Sequence, residues 1–93
     1  MRLMMRFTIP VERGNEAAAD GSIGQVIENL VKATNAEAAY FTTIDGERAG
    51  FIIFEETDQA RMAQLNEPMF AALNAAVDTT PVLTLEDLKR GLR

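Results

Sequence analysis

Residues 38–54 read AAYFTTI, DGER and AGFIIF in succession, two apolar segments separated by a short polar one. The apolar segments are rich in β-branched and aromatic residues, which favour strands. In the polar segment, Asp45-Gly46-Glu47-Arg48, the Asp-Gly pair tolerates the positive φ angles that a two-residue hairpin turn requires. We therefore predict a β-hairpin with strands from Ala38 to Ile44 and from Ala49 to Phe54.

Length and composition indicate one small globular domain. The 93 residues are 47% hydrophobic and 25% charged, which suits one modest core, and we expect a single domain over residues 1–93. A formal net charge of −5 with dispersed Lys and Arg residues makes nucleic acid and anionic membranes poor partners. Since no apolar segment resembles a signal peptide or a membrane span, the expected location is cytoplasmic.

The chain contains no Cys and no His. Disulfides, thiolate nucleophiles, imidazole bases and the usual zinc or haem ligands are therefore excluded. We expect no cofactor: no haem, no flavin and no tightly bound transition metal. Glu12, Glu16 and Asp20 could offer oxygen ligands, but their spacing matches no calcium loop, so no metal site is predicted.

The first third of the chain predicts a strand, a long connection and a helix. Residues alternate from Leu3 to Ile9 with the period of a strand, which Pro10 ends. The segment Val11 to Gly21 has no clear period and is interpreted as a long loop, either a mobile connection or a functional one. Apolar residues then recur at helical spacing from Ile23 to Thr34, after a predicted capping box formed by Ser22 and Gln25.

The last third predicts a helix, a strand and a short terminal helix. The second long helix begins after Asp58, a predicted N-cap, and Pro68 should kink or split it. A strand from Val77 to Leu83 contains Pro81, which is tolerated mainly at a sheet edge. Thr84, three residues before an Asp, should cap a short helix over residues 85–90.

This order predicts an α+β fold of the ferredoxin-like βαββαβ type. Its four-stranded antiparallel sheet has the strand order 4-1-3-2. Right-handed crossovers should carry two long helices to one face of the sheet, and the short C-terminal helix follows strand four.

The chain resembles the ferredoxin-like proteins that pair into dimeric α/β barrels, the superfamily of muconolactone isomerase and antibiotic-biosynthesis monooxygenases. The resemblance rests on element order and on residues 9–15, 37–43 and 80–88, which are similar to an uncharacterised bacterial group within that superfamily. It implies a dimer with a small-molecule site between sheet and helices. Catalytic members often use His, Trp or haem, whereas this chain has no His and no Trp.

Arg6, Tyr40 and Thr42 are the predicted ligand-binding residues, since they could donate hydrogen bonds to a small acidic or carbonyl-bearing metabolite. The alternative is structural: Tyr and Thr are common strand residues, and Arg6 could pair with Asp78 or Glu55 across the sheet. No catalytic residue is identified.

Three functions are compatible with the sequence. The first is a non-catalytic interaction or structural domain, and the second a cofactor-independent enzyme or metabolite-binding protein of the dimeric-barrel type. The third is an RNA-binding module, for which Phe7, Phe51 and Phe54 lie in an unsuitable acidic context. Because the strand from Ala49 to Phe54 is apolar on both sides and only one face has helices to cover it, we predict a homodimer through the open sheet face.

Overall fold

The computed structural model describes all of residues 1–93 as four strands and four helices. In chain order these are β1 (Arg2–Ile9), α1 (Val11–Asp20), α2 (Ser22–Thr34), β2 (Ala38–Ile44), β3 (Glu47–Glu55), α3 (Ala60–Leu73), β4 (Ala76–Pro81) and α4 (Leu85–Gly91). The strands form one antiparallel sheet in the order β2-β3-β1-β4. Counted from the β4 edge, the same neighbours read 4-1-3-2.

The predicted hairpin is confirmed. β2 and β3 pair in register from Ala38 opposite Ile53 to Ile44 opposite Glu47, so that the turn is the two residues Asp45 and Gly46. Their φ angles are 51° and 79°, in the left-handed region that the Asp-Gly pair predicts. The strand after the turn begins at Glu47, earlier than predicted.

The predicted fold class is wrong in its helices, because the chain has four of them rather than two long helices and one short one. The additional helix is α1, which occupies the segment that we interpreted as the loop Val11 to Gly21. Its buried positions are Gly14 and Ala17, three residues apart on one face. Gly and Ala are too small to give a hydrophobic stripe in the sequence, but their small size lets the helix lie close to the sheet.

Gly21 separates α1 from α2 and replaces the predicted capping box. It adopts φ 83°, a left-handed conformation that breaks the helix, and it stands at the N-cap position of α2 without a side-chain cap. Ser22 is therefore inside the helix, and its backbone N–H donates to Asp20 Oδ1 at 2.8 Å. The predicted Ser22–Gln25 capping box is therefore wrong, since no side chain caps α2.

α3 runs without interruption through Pro68, so the prediction that Pro68 splits the helix is wrong. Proline removes the hydrogen bond to the carbonyl of Gln64, four residues earlier. Both residues line a small cleft between α2 and α3. Near its start, the backbone N–H of Ala60 donates to Asp58 Oδ1 at 3.0 Å, although the residue at the N-cap position is Gln59.

The core lies between one face of the sheet and helices α1 to α3. β1 and β3 contribute alternate residues to this covered face, and α3 supplies the largest helical share. The core residues are Met5, Phe7, Ile9, Ala17, Leu30, Ile52, Phe54, Leu65, Met69, Leu73 and Ala75. The predicted strand from Val77 to Leu83 is β4, which begins one residue earlier and ends at Pro81 on the sheet edge.

α4 has the capping box that the sequence predicts. The backbone N–H of Asp87 donates to Thr84 Oγ1 at 3.1 Å, and the backbone N–H of Thr84 donates to Asp87 Oδ2 at 3.3 Å. These reciprocal bonds hold the pKa of Asp87 below its ordinary range, first through the backbone N–H of Thr84 and then through its hydroxyl. α4 buries none of its residues.

Candidate binding surface on the open sheet face

One face of the sheet is not covered by α1 to α3, and we name it the open face. Strand register places its residues in rows across the four strands. One row contains Tyr40, Phe51, Arg6 and Asp78, from the β2 edge to the β4 edge. The neighbouring rows are Ala38, Ile53, Met4 and Thr80 on one side and Thr42, Ala49, Thr8 and Ala76 on the other.

The centre of the open face is apolar. Met4, Phe51 and Ile53 lie on the two central strands, and none of them belongs to the core or packs against it. Each is partly exposed. On β2, the side chain of Tyr40 is 68% exposed, so the apolar surface continues to the sheet edge. An uncovered apolar face with a polar surround has the composition of an interface.

Ion pairs border this apolar centre. At one end, Arg2 Nε lies 2.6 Å from Glu37 Oε1, and the hydrogen bond and charge of Glu37 raise the pKa of Arg2. On the β4 side, Arg6 Nη1 lies 3.7 Å from Asp78 Oδ2, with 36% of the Arg6 side chain and 81% of the Asp78 side chain exposed. No hydrogen bond joins the second pair, so the guanidinium of Arg6 retains free donors.

The three predicted ligand-binding residues all lie on the open face. Arg6 and Tyr40 flank Phe51 in one row, and Thr42 is in the adjoining row next to Ala49. The distance across two strand spacings is about 10 Å between the backbones of β1 and β2. A flat ligand that stacks on Phe51 could therefore reach both Arg6 and Tyr40.

Neither cavity in the structure is lined by Arg6, Tyr40 or Thr42. The larger one, of about 610 Å³, opens where the ends of β1 and β4 meet the start of α3. It has an apolar floor that includes Leu3, Met62 and Pro81. We did not predict this cavity, because its lining comes from three separate segments with no shared motif.

One rim of that cavity is acidic. Glu56 accepts hydrogen bonds from the backbone N–H groups of Thr57 and Asp58, each at 3.1 Å, and from Arg61 Nε at 3.2 Å. The bond from Asp58, followed by those from Arg61 and Thr57, holds the pKa of Glu56 below its ordinary range. The carboxylate is therefore ionised at neutral pH, and it serves to fix the start of α3.

Asn74 has a structural role at the end of α3. Asn74 has φ 51° and forms the left-handed C-cap of α3, where its backbone N–H donates to Phe70 O at 3.0 Å. No cluster of three or more acidic side chains could hold a metal ion. No helix is long and apolar enough to cross a membrane.

Comparisons with known proteins support the fold. No protein-family model matches the chain, and no curated protein matches its sequence. Among solved structures, the chain is similar to the periplasmic divalent cation tolerance protein CutA from Archaeoglobus fulgidus, with TM-score 0.53 and 14% identity over 95% of this chain and 91% of CutA. It is also similar to the de novo designed protein Ferredog-Diesel, with TM-score 0.51 and 12% identity over 87% of this chain and 85% of that one. At these identities the likeness shows a ferredoxin-like fold and nothing finer.

Proposed function

We propose that the chain is a non-catalytic self-association domain whose open sheet face binds a second copy as a homodimer. The observation that carries this proposal is the uncovered apolar centre formed by Met4, Phe51 and Ile53 on the two central strands. Leaving such a surface in water is unfavourable by about 25 cal/mol for each Å² of apolar area.

The surrounding charges suit a two-fold contact. Arg2 is already paired with Glu37, and Arg6 lies beside Asp78, so both cations enter the interface with an acidic neighbour. A symmetric contact therefore places no isolated charge at its centre. The net charge of −5 opposes non-specific aggregation.

The size of the face sets the expected strength. Four strands about 4.8 Å apart and about 20 Å long cover about 400 Å² per copy in projection. Two copies would bury about 800 Å² together, less than the about 1,200 to 2,000 Å² of a standard stable interface, so we expect a reversible dimer with a dissociation constant in the micromolar range, about 10⁻⁶ M.

Sedimentation velocity across a concentration series tests the proposal. Phe51→Lys should shift the chain to monomer, since it buries a charge at the centre of the contact. Phe70→Lys is the matched control, because Phe70 is an exposed Phe, 43% accessible, on the outer side of α3. A chain that stays monomeric at 100-fold above the expected dissociation constant, about 10⁻⁴ M, would contradict the proposal.

A second candidate function is binding of a small acidic or carbonyl-bearing metabolite on the same face. Its support is the incomplete pairing of Arg6, whose 3.7 Å contact with Asp78 leaves donors free in the same row as the exposed Tyr40. The free donors of a guanidinium fit a carboxylate, and Tyr40 and Thr42 could bind its polar substituents.

A panel of aliphatic and aromatic carboxylates, followed by NMR, tests this second function. Arg6→Met should abolish binding while leaving the protein folded. Arg48→Met is the control, since Arg48 lies on the covered side of the sheet, where it donates to Asn15 Oδ1 at 3.1 Å. Equal binding by both variants would exclude Arg6 as the ligand-orienting residue.

A further inference from the structure

The two edges of the sheet differ in their protection against strand pairing. β4 carries Asp78 in its centre and ends at Pro81, which has no N–H to offer. An edge charge and a proline are two of the features by which natural sheets prevent edge-to-edge association. The β4 edge is therefore closed to another strand.

The other edge has none of these features. β2 reads AAYFTTI over seven residues, without a charged residue, a proline or a glycine. Its backbone pairs with β3 on one side only, and no side chain caps its outward N–H and C=O groups. An unprotected strand of this length is a template for a further strand.

Both aromatic residues of β2 are exposed on opposite sides of the sheet. Tyr40 on the open face is 68% exposed, and Phe41 on the covered face is 54% exposed. The ring of Phe41 packs beside that of Phe7, with the ring centroids 6.5 Å apart. A neighbouring strand would cover apolar surface on both sides of the sheet at once.

We propose that the β2 edge pairs antiparallel with the β2 edge of a second copy, which joins the two sheets into one of eight strands. This contact goes beyond the proposed use of the open face, because it depends on backbone groups and on Phe41 rather than on Phe51.

The second copy fits this edge better than an unrelated peptide for two reasons. The chain has a net charge of −5, so two copies approach most easily where neither is charged, and β2 is such a strand. The contact is also isologous: each β2 edge is used once, and the closed β4 edges stop growth after two copies. An antiparallel two-fold arrangement centred on Phe41 would place this ring opposite its equivalent, an aromatic cross-strand pair.

Two lysine variants separate the edge contact from the open-face contact. Phe41→Lys places a charge at the β2 edge outside the open face, and Phe51→Lys places one at the centre of the open face. We expect Phe41→Lys to raise the dissociation constant of the edge contact at least about tenfold, as measured by sedimentation. Loss of association in Phe41→Lys alone supports the edge and contradicts the open-face dimer, and loss in Phe51→Lys alone does the reverse.

Hydrogen exchange on the unaltered chain provides a test that does not depend on the folding of a variant. Outward amides of β2 should exchange at least about tenfold more slowly above the association concentration than below it. The amides of β4 are the internal control and should not change, whereas an open-face contact would affect both strands alike. If β2 amides exchange at one rate at every concentration, or if the chain is monomeric throughout, the edge pairing is overturned.

Discussion

Gly50→Ala adds one methyl group at the most crowded point of the sheet. Gly50 is on β3 directly opposite Phe7 on β1, and a Cβ built there would lie 2.5 Å from the Cε2 and Cζ atoms of Phe7. It would also lie 3.0 Å from Cδ1 of Phe41. The ring of Phe7 thus occupies the space above a residue that has no side chain.

The cost follows from the displacement that this contact requires. An ordinary carbon–carbon contact is about 3.5 to 4.0 Å, so the ring of Phe7 must move by about 1 Å. It is only 1% exposed, inside a packed core, and overpacking of this kind costs about 1 to 3 kcal/mol. Replacing Gly by Ala in a strand also stabilises the folded state by about 0.5 to 1 kcal/mol, because Ala loses less backbone entropy on folding. We expect a net loss of about 1 to 2 kcal/mol and a fall in Tm of about 4 to 16 °C.

Gly24→Ala is the matched control, because it makes the same chemical change where nothing lies within 4 Å of the new methyl group. It is on the exposed side of α2, where Ala should stabilise the helix by up to about 1 kcal/mol. Urea unfolding followed by circular dichroism measures both variants. A second substitution, Phe7→Leu, should relieve part of the stability loss caused by Gly50→Ala. The effects of the two substitutions on the free energy of unfolding should therefore be non-additive. If Gly50→Ala is as stable as Gly24→Ala, the reasoning about Phe7 is refuted.

Four further predictions concern the turn, the terminal helix and the charged border. Gly46→Ala should destabilise the hairpin by about 1 kcal/mol in urea unfolding, since φ at Gly46 is 79°. Because the pKa of Asp87 is lowered in the folded chain, its carboxylate stabilises the α4 cap fully above its ordinary pKa of about 3.9. This stabilisation is lost as the pH falls through the lower pKa of the folded state, and the N-terminus of α4 should then fray, which NMR shifts of residues 85–91 would measure. Thr84→Ala should melt α4 at neutral pH yet leave global unfolding unchanged, because α4 buries no residue. Arg2→Met should remove the contact with Glu37 and make stability less sensitive to added salt in the same unfolding assay.

Local sequence signals predict the hairpin and the α4 cap correctly, because in each of them a few neighbouring residues determine the backbone conformation. The hairpin depends on Asp45 and Gly46, whose φ angles are both positive. The α4 cap depends on Thr84 and Asp87, which bond to each other's backbone. Each signal lies within four consecutive residues, so neither element depends on a contact between distant parts of the chain.

The predictions that failed are those in which tertiary packing overrides the local pattern. α1 buries Gly14 and Ala17, and its contact with the rest of the fold includes a hydrogen bond from Arg13 Nε to Ala72 O at 2.8 Å. A bond across 59 residues of chain leaves no trace in local periodicity. Pro68 lies inside α3, and the helix continues although one backbone hydrogen bond is lost. Neither the formation of α1 nor the continuity of α3 through Pro68 can be predicted from the residues of that helix alone.

The sequence predicts on which face of the sheet a candidate residue lies, but it does not predict which residues are neighbours across the strands. Alternation along β1 separates Arg6 from Phe7 and so assigns Arg6 to the face opposite the core. Only the register shows that Phe51 lies between Arg6 and Tyr40. This detail matters for function, because the aromatic ring and the two polar groups form one continuous row.

The two candidate functions of the open face compete for that row. A second copy that covers Phe51 also covers the donors of Arg6, since the two residues are directly opposed on β3 and β1. A carboxylate bound to the free donors of Arg6 would lie over the same row and keep the apposed sheet away. Ligand binding and face-to-face association are therefore negatively coupled, and each should weaken the other by the same factor. The β2 edge is outside this competition because its contact uses outward backbone groups and Phe41 on the covered side, so edge-paired copies would retain both open faces for either occupant.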